Sequence, residues 1–150
     1  MRIRTALLAG LAALAMGTGA MAEEWVDYSP AKEPWTVTQV KVAPGKLDDY
    51  LISLKKSWIA SMEIAKKNGD VLDYHVLANT NTNANGATVV FLVKFKDWSE
   101  TVPNKDRDMK TLEEVRKSFS KDSETKLMDD RTKYRSFLDE GTFADVTYPK

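Results

Sequence analysis

A change of hydrophobic period around residue 45 constrains the fold of this chain more than any other feature. Residues 35–42, Trp-Thr-Val-Thr-Gln-Val-Lys-Val, alternate and are rich in β-formers, which predicts a first strand. The pair Pro44-Gly45 then predicts a turn. From Lys46 to Lys67 apolar residues recur at spacings of three and four, which predicts a long amphipathic helix. The first strand is therefore expected to lead into a helix and not into a hairpin partner.

A hairpin is predicted next. Val71 to Ala78 and Ala87 to Lys96 have the composition of strands two and three. Between them lies Asn79 to Gly86, a polar loop that ends in the turn pair Asn-Gly. An Asn-rich run of this kind is also compatible with carbohydrate or calcium binding, but this one lacks the alternating carboxylates of a calcium loop. A solvated hairpin loop is the simpler interpretation.

The last third of the chain predicts two helical segments and a fourth strand. The apolar residues of the first segment fall at helical spacing: Met109, Leu112, Val115 and Phe119. After an interruption at 120–123, a second stripe follows, namely Leu127, Arg131, Tyr134 and Leu138, with Ser123 as the expected N-cap. Gly141 is expected to end this helix, and Thr142 to Tyr148 is the predicted fourth strand.

The resulting order, strand, helix, strand, strand, helices, strand, is that of a ferredoxin-like α+β unit. Two segments carry a resemblance to the dimeric α+β barrel superfamily: residues 40–45 leading into the helix, and residues 89–96 followed by Asp97-Trp98. That superfamily includes antibiotic-biosynthesis monooxygenases, NIPSNAP-like proteins and haem-handling relatives. The resemblance implies an antiparallel sheet with helices on one face and a homodimer whose other sheet faces close into a barrel. The two-part second helical region is a departure from it.

Strand alternation assigns side chains to the two faces of the predicted sheet. The uniformly apolar face of strand three suits the helices and carries Val89, Phe91, Val93 and Phe95. The opposite face is mixed and would line the barrel cavity implied by the resemblance. The candidate ligand-binding residues on it are Gln39, Leu77, Leu92 and Asp145, together with Asp73 and His75. Apolar walls with a few polar groups are typical of a small-molecule site.

His75 is the single histidine and the candidate general base or haem ligand, because histidine is the side-chain type that acts as an acid or base near neutral pH and that ligates haem iron. Asp73, two residues earlier on the same strand face, is the candidate partner that would orient the imidazole. The simpler interpretation is a half-exposed strand histidine beside a solvated carboxylate. No metal site is expected, since only these two ligands lie in local spacing and zinc needs three or four.

Residues 1–22 have the pattern of a secretory signal peptide. Arg2 and Arg4 precede an apolar run over residues 6–16, and a small-residue segment ends in Ala-Met-Ala at 20–22. We therefore expect cleavage between Ala22 and Glu23 and a periplasmic or secreted bacterial protein. The expected organisation is a signal peptide over 1–22, an extended N-terminal arm over 23–34 and one ferredoxin-like domain over 35–150.

Charge and composition exclude several classes of function. The chain has 22 basic and 22 acidic residues, so without Arg2 and Arg4 the basic count falls to 20 and the net charge to −2. No basic excess indicates a nucleic-acid partner. The absence of cysteine excludes disulfides and thiolate chemistry. The apolar run at residues 6–16 is shorter than the roughly 20 residues that span a bilayer. No later segment is apolar enough to do so either, so no integral membrane segment is expected in residues 23–150.

Three functions remain open at this point. The first is a binding protein that holds a small apolar or aromatic ligand in a cavity of the homodimer, with no cofactor. The second is an enzyme, either a cofactor-independent monooxygenase or a haem-handling protein, that uses His75. The third is a structural or interaction protein whose barrel is filled by side chains. No nucleophile elbow, phosphate loop, zinc-protease motif or dinucleotide fingerprint decides between them.

Overall fold

The computed structural model describes residues 22–80 and 86–150. The predicted signal peptide, apart from its last residue, and residues 81–85 of the Asn-rich loop lie outside the described residues. The strands are β1 Ser29–Val42, β2 Asp73–Ala78, β3 Val89–Lys94 and β4 Arg135–Thr147. The helices are α1 Leu47–Leu54, α2 Ala60–Asn68, α3 Lys105–Ser118 and α4 Lys121–Thr132, with a π-helical segment at Lys55–Ile59 and a 3₁₀ turn at Trp98–Thr101.

The four strands form one antiparallel sheet in the order β2-β3-β1-β4. This order and the sequence of elements are those of the ferredoxin-like βαββαβ unit, so the predicted fold class is confirmed. The register aligns His75 with Leu92 and Leu92 with Val37 across three neighbouring strands. Because paired residues share a face, this register fixes the composition of both faces of the sheet.

The core lies between the sheet and the first helical run, residues 47–68. Its buried side chains come from both layers: Val40, Val42, Tyr50, Leu54, Val89 and Phe91. The ring of Tyr50 meets the rings of Phe91 and Tyr134 edge to face, with centroids 6.5 and 6.3 Å apart. The prediction that Val89 and Phe91 face the helices is confirmed, and the helices cover this face of the sheet.

A π-helical segment interrupts the first helical run between α1 and α2. Within it, the Ser57 hydroxyl donates to the Ser53 carbonyl at 3.0 Å and accepts from Arg131 of α4 at 2.6 Å. Gly69 ends α2 in the left-handed conformation, with φ of 79°, which a residue that lacks a Cβ adopts without strain. The π segment is thus where α4 is tied to the first helical run.

The second predicted helix ends earlier than its stripe suggested. The expectation of a helix up to Gly141 is wrong, because α4 ends at Thr132 and residues 135–141 form the first half of β4. They pair with residues 37–42 of β1, and the register shifts by one residue at Leu138, where β4 carries a bulge. Backbone pairing with a central strand outweighs the local helical periodicity. The N-cap of α4 is Ser120 and not Ser123, since the Ser120 hydroxyl accepts from the Ser123 amide.

The first strand begins at Ser29 and not at Trp35. Ser29 and Pro30 pair with Thr147 and Val146, and the ladder resumes at Pro34 after a register shift. A proline cannot donate to a ladder, so prolines fit strand positions at such irregularities. The C-terminal part of the segment predicted as an arm is therefore paired with β4, which leaves residues 23–28 beside it as a short exposed turn.

Candidate functional site

The face of the sheet turned away from the helices carries the residues that the sequence singled out. We call it the open face. Its members, taken from the register of the four strands, are Trp35, Val37 and Gln39 of β1, Asp73, His75 and Leu77 of β2, Val90, Leu92 and Lys94 of β3, and Asp139, Gly141, Phe143 and Asp145 of β4. All six candidate residues thus lie on one surface.

Asp73 and His75 are neighbours at one end of the open face without sharing a hydrogen bond. The His75 Nε2 lies 3.8 Å from Asp73 Oδ2, beyond hydrogen-bond distance. Asp73 instead accepts from Lys66 of α2 at 2.8 Å and from the Tyr74 amide at 2.9 Å. These two hydrogen bonds, that of Lys66 above all, lower the pKa of Asp73. The carboxylate that was expected to orient the imidazole is therefore engaged elsewhere.

The imidazole of His75 stacks on Trp35, and Trp35 connects it to a cluster of charges. The two ring centroids are 5.6 Å apart with planes inclined by 24°. The Lys94 ammonium lies 5.3 Å from the Trp35 ring centroid, and the indole Nε1 donates to Asp145 at 3.3 Å. Trp35 was predicted only as a strand residue, yet its indole contacts His75, Lys94 and Asp145.

Lys94 is the charge around which two carboxylates gather. Its ammonium lies 3.1 Å from Glu33 and 3.8 Å from Asp145. The hydrogen bond to Glu33 is the main cause that raises the pKa of Lys94. Asp145 therefore interacts with both Trp35 and Lys94, and its carboxylate lies at the polar end of the open face.

The remaining candidates lie further along the open face. Leu92 is in the middle of the sheet, paired with His75 on one side and Val37 on the other. Gln39 and Leu77 flank Val90 in the next row, with Asp139 beyond Gln39. The structure thus brings Asp73, His75 and Asp145 together around Trp35 and leaves Gln39 and Leu77 at the other end of an apolar strip.

His75 is the residue that would hold a haem iron, and its side chain is 49% exposed. Its Nε2 lies 3.8 Å from Asp73 Oδ2, and one side of the imidazole is stacked on Trp35. Within the described residues, no group of three or more His, Cys, Asp or Glu side chains is placed to hold a metal ion.

The helix side of the sheet carries a feature that the sequence reasoning missed. A cavity of about 320 Å³ lies between β4, α4 and the core, and its walls include two arginines, Arg131 and Arg135. Arg131 was predicted as one member of a helical stripe, with no role of its own. The sequence feature that could have indicated it is the stripe itself. Arg131 shares a helix face with Leu127 and Tyr134, and a face with these residues must pack against the core.

Comparisons with known proteins give structural neighbours and no family. No family model matches the chain, and neither does any curated protein. HapK from Hahella chejuensis is 10% identical at a TM-score of 0.44, over 73% of this chain and 89% of its own. A dimeric protein of unknown function and ferredoxin-like fold from Bacteroides fragilis is 7% identical at a TM-score of 0.41, over 80% and 99%.

A conserved protein from Methanosarcina mazei is 17% identical at a TM-score of 0.38, over 79% of this chain and 93% of its own. Similarities at this level say nothing about activity or assembly, so the topology of this chain itself defines it as a ferredoxin-like α+β domain. Of the helices in residues 22–80 and 86–150, none has the length and apolar character that crossing a membrane requires.

Proposed function

We propose that this chain is an exported binding protein that holds a small apolar or aromatic molecule between its sheet and the sheet of a second copy. The observation that carries the proposal is the open face, which has an apolar centre and polar ends. Helices cover the other face of the sheet, and a sheet with two apolar faces is stable only when both are covered. A second copy of the chain supplies the missing layer.

Exposure on the open face supports the second copy as its cover. Leu77 is 51% exposed and Phe143 is 55% exposed, although both lie on strands of the sheet. Solvent-exposed apolar side chains that cluster on one face are typical of interaction surfaces. The same face also carries both signs of charge, Asp73 and Asp145 beside Lys94, so a twofold axis can place opposite charges against each other.

The chemistry of the ligand follows from the side chains that line the proposed cavity. Val37, Val90 and Leu92 form its apolar floor, and Trp35 adds an aromatic ring at one end. Gln39 and His75 are polar groups at the edges of that floor that can hydrogen-bond a ligand. Binding sites with mainly apolar walls and few polar groups select small apolar molecules and orient them through those groups.

The enzyme alternative has less support in the geometry. A general base needs a partner that fixes its tautomer, and the carboxylate nearest to His75 bonds Lys66 instead. The alternative of a filled barrel differs from the binding proposal in one property only, which is the presence of space between the two sheets. Binding of a neutral probe distinguishes them.

The test uses the neutral fluorescent probe N-phenyl-1-naphthylamine with the purified protein over residues 23–150. We expect saturable fluorescence enhancement, weakened at least tenfold in Leu92→Asn, because an amide in the centre of the floor must give up its water without a partner. Ile52→Asn is the matched control, since Ile52 is an aliphatic residue 59% exposed on α1. A dimer that binds no probe would have a filled barrel, and equal binding by both variants would place the site elsewhere.

A further inference from the structure

Arg131 is a buried cation that has no anionic partner in the part of the chain that the structure describes. Its side chain is 5% exposed, and among the described residues no carboxylate lies within 4 Å of it. One nitrogen, Nη1, donates to the Ser57 and Ser53 hydroxyls at 2.6 and 3.1 Å. Arginine is almost never this deeply buried unless it is paired, because an unpaired charge loses hydration without compensation. The position of Arg131 therefore requires an explanation beyond packing.

A second guanidinium lies beside it. Arg135 at the start of β4 donates to the Tyr50 hydroxyl over a long distance of 3.4 Å and covers the Phe137 ring at 4.7 Å. The Nε atoms of both arginines are buried and have no acceptor in residues 22–80 and 86–150. Burial, and after it the charge of Arg135, lowers the pKa of Arg131. Two neighbouring cations whose donors are not all used leave an uncompensated positive charge in this region.

The cavity between them has the size and the walls of a ligand site. It measures about 320 Å³, near the lower end of the roughly 300–1,000 Å³ of small-molecule pockets. Its apolar and aromatic walls are Leu54, Trp58, Phe91, Val93 and Phe137, and its hydroxyl-bearing walls are Thr36 and Thr38. Glu140 also lines it, but its carboxylate lies more than 4 Å from either guanidinium and the residue is exposed.

We propose that this cavity binds a small carboxylic acid with an aromatic or aliphatic body, with the carboxylate held by Arg131 and Arg135. A carboxylate accepts two hydrogen bonds from one guanidinium in a planar fork, which neither a lysine nor a hydroxyl can offer. The body of the ligand would then pack against Trp58 and Phe91. The site lies on the helix side of the sheet, so it is independent of the binding surface proposed for the open face.

The experiment compares 3-phenylpropionate with 3-phenylpropan-1-ol, which has the same body without the charge. Calorimetric titration of the protein over residues 23–150 is expected to give a Kd for the acid at least tenfold lower than for the alcohol. In ¹H–¹⁵N spectra of the arginine side chains, the acid should move two Nε–H resonances, those that Arg131→Lys and Arg135→Gln remove. Equal affinity for acid and alcohol, or no binding of the acid at millimolar concentration, would overturn the proposal.

Arg135→Gln is the decisive variant, because Arg131 also holds the serines of the π segment and its replacement can weaken the fold. We expect Arg135→Gln to weaken binding of the acid at least tenfold and to leave binding of the alcohol unchanged. Arg116→Gln is the control, since Arg116 is a partly buried arginine of α3 already paired with Glu124 at 2.5 Å. An equal loss in both variants would show a general effect of charge and would contradict a built site.

Discussion

Replacing Tyr50 by alanine is expected to lower the free energy of unfolding by about 3–5 kcal/mol, the range measured when a buried aromatic side chain is removed from a core. Tyr50 is 0% exposed and lies where α1, β3 and the end of α4 meet. Its ring contacts Phe91 and Tyr134 edge to face, so the substitution removes two aromatic contacts and leaves a cavity between rigid layers. Urea unfolding followed by circular dichroism measures the effect.

Two controls isolate the packing contribution. Tyr148→Ala removes the same side chain at a position 75% exposed and is expected to change the stability by less than about 0.5 kcal/mol. Tyr50→Phe keeps the ring and loses only the hydroxyl, which accepts a long hydrogen bond of 3.4 Å from Arg135, so a loss below about 1.5 kcal/mol is expected. A loss below about 1 kcal/mol for Tyr50→Ala would contradict the placement of Tyr50 at the centre of the core.

Replacing Leu77 by aspartate is expected to weaken self-association by a factor of at least roughly 100, which corresponds to about 3 kcal/mol. In the proposed dimer both copies would bury this carboxylate against an apolar surface, and by symmetry the penalty applies twice. Leu77 is 51% exposed in the isolated chain, so its substitution should leave the fold of one copy intact. Sedimentation equilibrium over a concentration series measures the association constant.

The control for Leu77 is Ile52, an aliphatic residue that is 59% exposed on the helix side of the molecule. Ile52→Asp introduces the same charge on a surface that the proposal leaves in solvent, so it should leave the association constant within about twofold of the original protein. If Ile52→Asp disrupts the dimer and Leu77→Asp does not, the copies associate through their helices. A wild-type chain that stays monomeric at micromolar concentration would remove the proposed dimer altogether.

Most of the fold was predictable because the hydrophobic period is clear where it matters. Alternation over residues 35–42 and the three-four spacing over residues 47–65 identify β1 and the first helical run, and both are confirmed. Alternation also assigned Val89 and Phe91 to the buried face and Gln39 to the opposite one, as the structure has them. Period two carries this information because each residue of a strand has only two possible faces.

The first half of β4 was not predictable in the same way. Tyr134 and Leu138 continue the stripe of α4 at helical spacing, so the sequence favours helix where the chain pairs with β1. Phe137 is an apolar residue of this strand and yet is 62% exposed. An alternation of apolar buried and polar exposed residues therefore does not mark this half of β4. What decides the segment is backbone pairing with a strand almost a hundred residues away, which no local window contains.

The sequence predicted which face of the sheet carries the candidate residues, but it did not predict the contacts that these residues make. Strand alternation placed Asp73, His75 and Asp145 on one face. It carried no information on Lys66 of α2, which donates a hydrogen bond to the Asp73 carboxylate. The two arginines were missed for a related reason. Their proximity depends on the turn between α4 and β4, which places a helical and a strand residue beside one cavity.

The distance between two copies of the open face tests the central claim most directly. The chain has no cysteine, so Ser136→Cys on β4 and Ser118→Cys at the end of α3 each accept a single nitroxide label. Ser136 pairs with Lys41 of β1, two residues from Gln39, and therefore lies on the same face of the sheet as the open face. Both serines are exposed. Pulsed electron–electron double resonance should give a sharp distance for Ser136, shorter than for Ser118, whose labels are separated by two helix layers as well as the sheets. A shorter distance for Ser118, or no dipolar coupling at Ser136, would contradict the proposed pairing of the sheets.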